Sequence, residues 1–343
     1  IRKIGFRVVP VGARYEELIS SVRFIMIDAT YSLLIICLVI LLTIGGIIYY
    51  VAYRMYHRRI YLPSEVLMDA SHIPDVIRVL RKMIMLPHKN IILDFSNVTD
   101  ISKEGYMIIM AQGEKAFYKG KSIYLRSIPL RRKKVAYVVL GRNDGHKTYH
   151  DYVKLSKDDH NPFFQSSHIN PAVTLGIEKE LKRIGIRDYY EFNSLVTELL
   201  GNAIEHGIAR LNINWWMYHY KDSTSKTITF VFVDMGIGII DSYKKAGLPS
   251  SYNKKSDVNI LLDALDGKLG SSTRQPNRGR GMPQLKHMVE KNWISNFALT
   301  TNTVSLRYID NEFVPMQHSN FVGTYYSWTI NKENYLIWKQ RSI

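Results

Sequence analysis

Three polar side chains recur at four-residue intervals in "ELLGNAIEHG" (198–207), and they are the first candidates for chemistry. Glu198, Asn202 and His206 would lie on one stripe of a helix. A carboxylate there can act as a general base, and an amide oxygen is a suitable Mg²⁺ ligand. Apolar residues occupy the intervening positions, so the stripe borders the core. A solvated stripe without a ligand is the alternative interpretation of this segment alone.

A second candidate follows a buried-strand pattern. "TITFVFV" (227–233) is rich in β-branched and aromatic residues, and Asp234 comes directly after it. Gly236 and Gly238 follow in "DMGIG", and a glycine leaves its backbone open to a close ligand. The segment therefore predicts a fixed hydrogen-bond acceptor beside unobstructed backbone. A plain strand and turn is the alternative.

A glycine- and arginine-rich loop precedes a predicted helix in "NRGRGMPQLKHMVE" (277–290). Gly279 and Gly281 would leave backbone N–H groups available to a phosphate at the positive end of that helix. Neighbouring cations can add charge, namely Arg274, Arg278, Arg280 and Lys286. The loop is thus a candidate phosphate site.

In order and spacing, these segments resemble the GHKL ATPase superfamily, which includes gyrase B, MutL, histidine kinases and anti-sigma-factor kinases. "ELLGNAIEHG" resembles its N box, "DMGIG" its G1 box, "RGRGMPQL" its G2 box, and "GT" at 323–324 its late Gly-Thr. The resemblance covers roughly residues 165–331 and is nearest in style to the anti-sigma-factor kinases. It implies a Bergerat α/β sandwich that binds ATP and Mg²⁺.

The resemblance also implies a role for each matching residue. Glu198 would be the general base, Asn202 would hold Mg²⁺ against the phosphates, and Asp234 would accept from the adenine amino group. Thr324 would support Asp234, and His206 would be structural or orienting. The remaining nucleotide contacts would come from the two loops and the helix after them: Gly236, Gly238, Arg274, Gly279, Arg280, Gly281 and Lys286.

The elements that must position these residues form two predicted domains. Within 165–331, helical patterns come first and strand patterns cluster later, which predicts an α+β fold, a mixed sheet with helices on one face. Residues 60–141 alternate strand and helix patterns and predict a small α/β domain. Residues 142–164 are polar and irregular, and we assign them to a linker. Residues 332–343 are assigned to a C-terminal tail.

The small α/β domain resembles a STAS domain through "LDFSNVTDIS" (93–102), Gly105 and the helix pattern that follows. Signalling STAS domains carry a phosphorylatable Ser or Thr at the start of that helix. Here Lys103 and Glu104 stand where the hydroxyls are expected, and Ser102 falls at a different point of the motif. We therefore expect a structural or interaction role for this domain rather than a phosphoryl switch.

Residues 31–53 contain no charged residue and are long enough, at about 1.5 Å per residue, to cross a bilayer core as a helix. Tyrosines lie at one end, and Arg54, Arg58 and Arg59 follow, which predicts that this end is cytoplasmic. Residues 1–30 form an N-terminal segment. We therefore expect a single-pass cell-membrane protein that contacts lipid through 31–53. A buried helix in a soluble core is the alternative.

The composition narrows the classes of partner. Hydrophobic residues make up 46% of the chain, which excludes a wholly disordered protein, and the net charge is +16. That charge permits binding to nucleic acid or anionic lipid. The basic clusters at 54–59 and 131–134 are not interleaved with aromatics as in a single-strand binding surface, so nucleic acid is not favoured. The single cysteine, Cys37, excludes an intrachain disulfide.

These features together predict a membrane-anchored protein that binds and hydrolyses Mg-ATP. Hydrolysis would drive a conformational or assembly switch in a regulatory, signalling or defence complex, with a protein partner or a second copy of the chain. Two alternatives stay open, a Ser/Thr kinase of the anti-sigma-factor type and a nucleotide-dependent interaction module without turnover. A sensor histidine kinase is disfavoured, because no His-containing dimerisation motif precedes the predicted ATPase domain.

Overall fold

The computed structural model describes residues 11–126, 163–166, 171–205, 215–222, 225–270 and 281–341. The chain divides into two compact units, Ile1–His57 and Arg58–Ile343. The protein is a mixed α+β protein with one apolar helix near its N-terminus, as the sequence predicts at this coarse level.

The first unit is dominated by one helix, α1 (Val11–Tyr56), of 46 residues. Its part Leu18–Tyr53 is long and apolar enough, by length and composition, to cross a membrane. Among the described residues no other helix meets that test. The helix begins before the predicted span 31–53 and continues through Arg23 and Asp28, both exposed. At 1.5 Å per residue α1 is about 70 Å long, more than twice the ~30 Å of a hydrocarbon core.

The second unit begins with residues 58–126, here called the N-terminal module. Its elements are β1 (His57–Tyr61), β2 (Glu65–Val66), α2 (Ile73–Met85), β3 (Asn90–Asp94), β4 (Asp100–Ile101), α3 (Lys103–Tyr118) and β5 (Ser122–Arg126). The strands β1, β3 and β5 form one sheet in the order β1-β3-β5, with β3 and β5 parallel. The predicted alternation of strands and helices is therefore confirmed for this part of the chain.

Residues 163–341 form the remainder, here called the C-terminal domain. Its strands are β6 (Phe163–Ser166), β7 (Trp215–Asp222), β8 (Thr227–Asp234), β9 (Ser295–Ile309) and β10 (Glu312–Ile330). Its α-helices are α4 (Pro171–Arg183), α5 (Tyr190–Ala203), α6 (Ile239–Ala246), α7 (Asp257–Leu265), α8 (Gly281–Glu290) and α9 (Lys332–Arg341), with a 3₁₀ turn at Ser250–Tyr252.

The five strands form one sheet in the order β6-β7-β8-β10-β9, and every pairing between these described strands is antiparallel. The predicted mixed sheet is therefore wrong. Only four residues separate β7 from β8 and only two separate β9 from β10, and such short connections join antiparallel neighbours. The segments "FALTT" and "TVSLRYI" belong to one strand, β9, and Gly323-Thr324 lie within β10.

Both faces of this sheet are buried. Along β8, Phe230 and Phe232 pack among the helices of the C-terminal domain, while Val231 and Val233 point to the opposite face. The helices of the N-terminal module pack on that opposite face, where Ile77 of α2 and Ile108 of α3 belong to the same apolar cluster as Val233. The prediction that helices cover one face only is wrong, because the module supplies the second layer.

The last helix, α9, lies in the segment assigned to a tail. Its Tyr335 and Trp338 are buried, and the Trp338 ring lies 4.7 Å from that of Tyr189 at the start of α5. Segment 332–341 is therefore part of the C-terminal core, and the apolar residues of "NYLIWK" are the sequence signal for it.

Candidate functional site

Asp234 ends β8 as a buried carboxylate with fixed partners. Its side chain accepts a hydrogen bond from the Gly236 N–H at 2.8 Å and another from the side chain of Thr324, the residue opposite it on β10. Burial raises the pKa of Asp234, and the two hydrogen bonds and the charge of Lys115 oppose that rise. The side chains of Asp234 and Thr324 are therefore hydrogen bonded directly, and their role at a nucleotide stays a prediction.

Two glycines allow the backbone around Asp234 to pack closely. Gly323 has φ +129°, and a Cβ there would lie 2.3 Å from the Asp234 carbonyl oxygen. Gly238 has φ +86°, and a Cβ there would lie 2.4 Å from Oδ1 of Asn302. Both positions therefore require glycine, for backbone conformation and for space. Gly238 serves the packing of the loop against Asn302, and its nucleotide contact stays a prediction.

The loop after Asp234 is tied to β9 by side chains that the sequence analysis missed. The Ile239 N–H donates to Thr301 Oγ1 at 2.9 Å, and the Ile240 N–H donates to Asn302 Oδ1 at 3.0 Å. Asn302 also donates through Nδ2 to the Ile237 carbonyl at 2.8 Å. These contacts satisfy the free N–H groups at the start of α6. Only the unusual buried "TN" inside an apolar strand signals them.

Glu198 and Asn202 lie on α5, both partly exposed, beside the first residue of α8. A Cβ at Gly281 would lie 3.3 Å from Asn202 Nδ2, 3.4 Å from Glu198 Cβ and 3.6 Å from Glu198 Oε2. The structure thus brings the predicted general base and the predicted Mg²⁺ ligand together with the glycine that begins the predicted phosphate-binding helix. His206, Arg274, Gly279 and Arg280 lie outside the described residues.

Lys286, predicted to add charge for phosphate, is engaged elsewhere. Its ammonium hydrogen bonds to the Asp266 carboxylate and lies 3.4 Å from Glu290 Oε1. The hydrogen bond to Asp266 raises the pKa of Lys286. In this arrangement Lys286 joins α8 to the end of α7, and its phosphate role stays a prediction.

Tyr326 on β10 lies between the two parts of the candidate site, Asp234 at the end of β8 and the start of α8. Its hydroxyl donates to Met282 Sδ at 3.8 Å, and Met282 follows Gly281. Burial raises the pKa of Tyr326, and the negative charge of Asp234 adds to that rise. Tyr326 therefore contacts the start of α8 and is close enough to Asp234 for its charge to act on the hydroxyl.

The donor set bears on the kind of metal the site can take. Within the described ranges no group of three or more His, Cys, Asp and Glu side chains could hold a metal ion. An Asn side chain offers one amide oxygen, and Mg²⁺ that binds with a nucleotide commonly takes its other ligands from phosphate and water.

Comparison with known proteins adds no relative. No protein-family model, no curated protein and no solved structure matches the chain. A function for this chain can therefore be argued only from its sequence motifs and from the positions of five residues: Asp234, Thr324, Glu198, Asn202 and Gly281.

Proposed function

We propose that this chain is a membrane-anchored, GHKL-type protein that binds and hydrolyses Mg-ATP to drive a conformational or assembly switch. The observation that carries the proposal is the closeness of Gly281 to Asn202 and Glu198, where an added Cβ would lie 3.3–3.6 Å from their side chains; the three residues come from two separate motifs. The hydrogen bond between the side chains of Thr324 and Asp234 joins two further motifs, "DMGIG" (234–238) and "GT" (323–324). Agreement of four distant segments in one domain is the pattern that the superfamily resemblance implies.

At the adenine end, the residue that would recognise the base is Asp234. Its carboxylate is 9% exposed, and its hydrogen bonds to Gly236 and Thr324 leave further acceptor capacity on its two oxygens. A carboxylate held in this way can accept from an exocyclic amino group, and a charged acceptor in a dry site gives a stronger hydrogen bond than a neutral one.

At the phosphate end, the start of α8 offers backbone N–H groups and the positive end of a helix dipole. The absence of a side chain at Gly281 leaves room for a phosphate oxygen beside Asn202 and Glu198. The amide oxygen of Asn202 would bind Mg²⁺, and Mg-ATP would supply the phosphoryl group that is transferred to water. The Glu198 carboxylate, partly exposed on the same helix face, would take the proton from the attacking water.

The substitution Asp234→Asn tests this proposal. We expect it to abolish measurable binding of a non-hydrolysable ATP analogue, because the adenine amino group would face an amide that no longer carries charge. Isothermal titration calorimetry on the purified full chain measures it. The control is Asp241→Asn, the same change on α6, which should bind as the parent protein does. Unchanged affinity in Asp234→Asn would reject the adenine site.

Two alternatives differ in what happens after binding. A Ser/Thr kinase of the anti-sigma-factor type would transfer label from radioactive ATP to a protein partner, and an interaction module without turnover would release no phosphate. The closeness of Glu198 Oε2 to the start of α8, 3.6 Å from the position of a Cβ at Gly281, supports turnover over the module. The partner, or a second copy of the chain, would read the nucleotide state.

Membrane attachment is a separate part of the proposal. The exposed apolar side chains of Leu18–Tyr53 support lipid contact, and the arginines that follow support a cytoplasmic C-terminal domain. We expect the full chain to stay in the membrane fraction during alkaline carbonate extraction. Release into the supernatant would reject a membrane-spanning helix.

A further inference from the structure

We propose that Lys115 of the N-terminal module is a positioning residue for residues 235–238, the loop after Asp234, here called the adenine loop. Docking of the module and binding of adenine would then be energetically coupled. This inference rests on the proposed function, because it assigns a role at the same nucleotide site. It gives the degenerate STAS-like module a task that does not need phosphorylation.

Lys115 reaches from α3 to the loop that follows Asp234. Its Nζ donates to the Met235 carbonyl at 2.5 Å and to the Gly236 carbonyl at 3.2 Å, and the residue is 4% exposed. Removing an ammonium from water costs several kcal/mol unless its donors are satisfied. The two loop carbonyls satisfy donors of Lys115, and the nearby Asp234 carboxylate supplies an opposite charge. The loop and the lysine therefore stabilise each other.

A second residue of α3 holds the other backbone segment beside Asp234. Gln112, one turn before Lys115, donates through Nε2 to the Val322 carbonyl at 3.0 Å and is 1% exposed. Val322 directly precedes Gly323-Thr324, and Thr324 bonds the Asp234 side chain. Residues three apart lie on one helix face. One face of α3 therefore fixes both segments that set the position of Asp234.

Other side-chain hydrogen bonds between the module and the sheet do not involve the backbone of this loop. The Tyr220 hydroxyl bonds the Glu104 carboxylate, and Trp216 Nε1 donates to Glu114 Oε2 at 2.6 Å, both on β7. These contacts dock the module without touching residues 234–238. They provide a matched control, because Tyr220→Phe removes one interface hydrogen bond and keeps the ring.

The test compares Lys115→Met with Tyr220→Phe in the full chain in detergent. Titration calorimetry measures affinity for a non-hydrolysable ATP analogue and for inorganic tripolyphosphate, which lacks the adenine. Lys115→Met should weaken the analogue by about 10- to 100-fold, the effect of one or two lost positioning hydrogen bonds, and tripolyphosphate by less than about twofold. Tyr220→Phe should leave both affinities within about twofold.

A measurement without nucleotide completes the test. Hydrogen exchange of the amides at 236–238 should be faster in Lys115→Met than in the parent and in Tyr220→Phe. If Lys115→Met does not fold, Gln112→Leu replaces it and should show the same selective loss of the analogue. Equal weakening of both ligands, or unchanged analogue affinity, would overturn the inference while the proposed function stands. A parent chain that binds no analogue would overturn both.

Discussion

Gly281 offers a substitution that should separate stability from nucleotide binding. In Gly281→Ala the added methyl would lie 3.3 Å from Asn202 Nδ2 and 3.4 Å from Glu198 Cβ. Favourable contacts between such atoms begin at roughly 3.5 Å, so both side chains must move by a few tenths of an ångström. The methyl also occupies the space beside the first N–H groups of α8.

The expected magnitudes follow from that geometry. Alanine is favoured over glycine by up to about 1 kcal/mol inside a helix, and by less at its first residue. The tight contact offsets this gain, so the free energy of unfolding should change by no more than about 1 kcal/mol. Displacing the Asn202 amide or blocking one N–H loses one ligand contact, about 1–3 kcal/mol, which is roughly a 5- to 150-fold loss of affinity.

The assay pairs calorimetric titration of a Mg²⁺-bound, non-hydrolysable ATP analogue with urea unfolding of the same preparations. The matched control is Gly201→Ala on α5, next to Asn202 in sequence, where an added methyl meets nothing within 4 Å. That variant should be more stable by about 0.5–1 kcal/mol and should bind normally. If Gly281→Ala binds as tightly as the parent and Gly201→Ala, no phosphate lies at this junction.

Two further predictions concern charge. Glu198→Gln should bind the ATP analogue as tightly as the parent but release no phosphate, because only the proton acceptor is lost. A steady-state phosphate assay measures the turnover. A rate equal to that of the parent would mean that another residue is the base. Burial lowers the pKa of Lys115 to about 8 from an ordinary 10.5, so between these values the unfolded chain holds a proton that the folded chain has released. The free energy of unfolding should therefore gain up to about 3 kcal/mol as pH rises from 8 to 10.5, relative to Lys115→Met. Urea unfolding of the parent and of Lys115→Met at pH 7 and pH 10 measures this gain in the free energy of unfolding. An identical pH dependence in the two proteins would contradict the prediction.

Local sequence patterns predicted most elements of the two α/β parts. The helix α7 (Asp257–Leu265) is one example, and Ser256 caps it by accepting from the Asn259 N–H at 3.2 Å. These elements are predictable because their apolar period and caps are local. The antiparallel sheet was not predicted, because strand pairing depends on contacts far apart in sequence. The second helical layer was missed although "ITFVFV" is apolar on both faces, the pattern of a strand buried on both sides.

The residues of the candidate site likewise divide into those that local sequence predicted and those that it did not. Short contiguous motifs predicted five of the site residues, because each motif is recognised from neighbours in the sequence. These residues are Asp234, Thr324, Glu198, Asn202 and Gly281. Asn302 and Lys115 were not predicted, because each acts on the adenine loop across more than 60 residues, and neither belongs to a recognised motif.

The double burial of the sheet has a consequence for how this protein can be divided. A fragment that begins at residue 163 would carry all the motifs proposed to bind nucleotide. It would also expose side chains that the N-terminal module now covers, namely Trp216, Tyr218, Val233 and Tyr325. An apolar patch of that kind promotes aggregation. The smallest fragment expected to be soluble therefore starts near residue 58. Its two cores share one sheet, so calorimetric melting of that fragment should be a single cooperative transition rather than two.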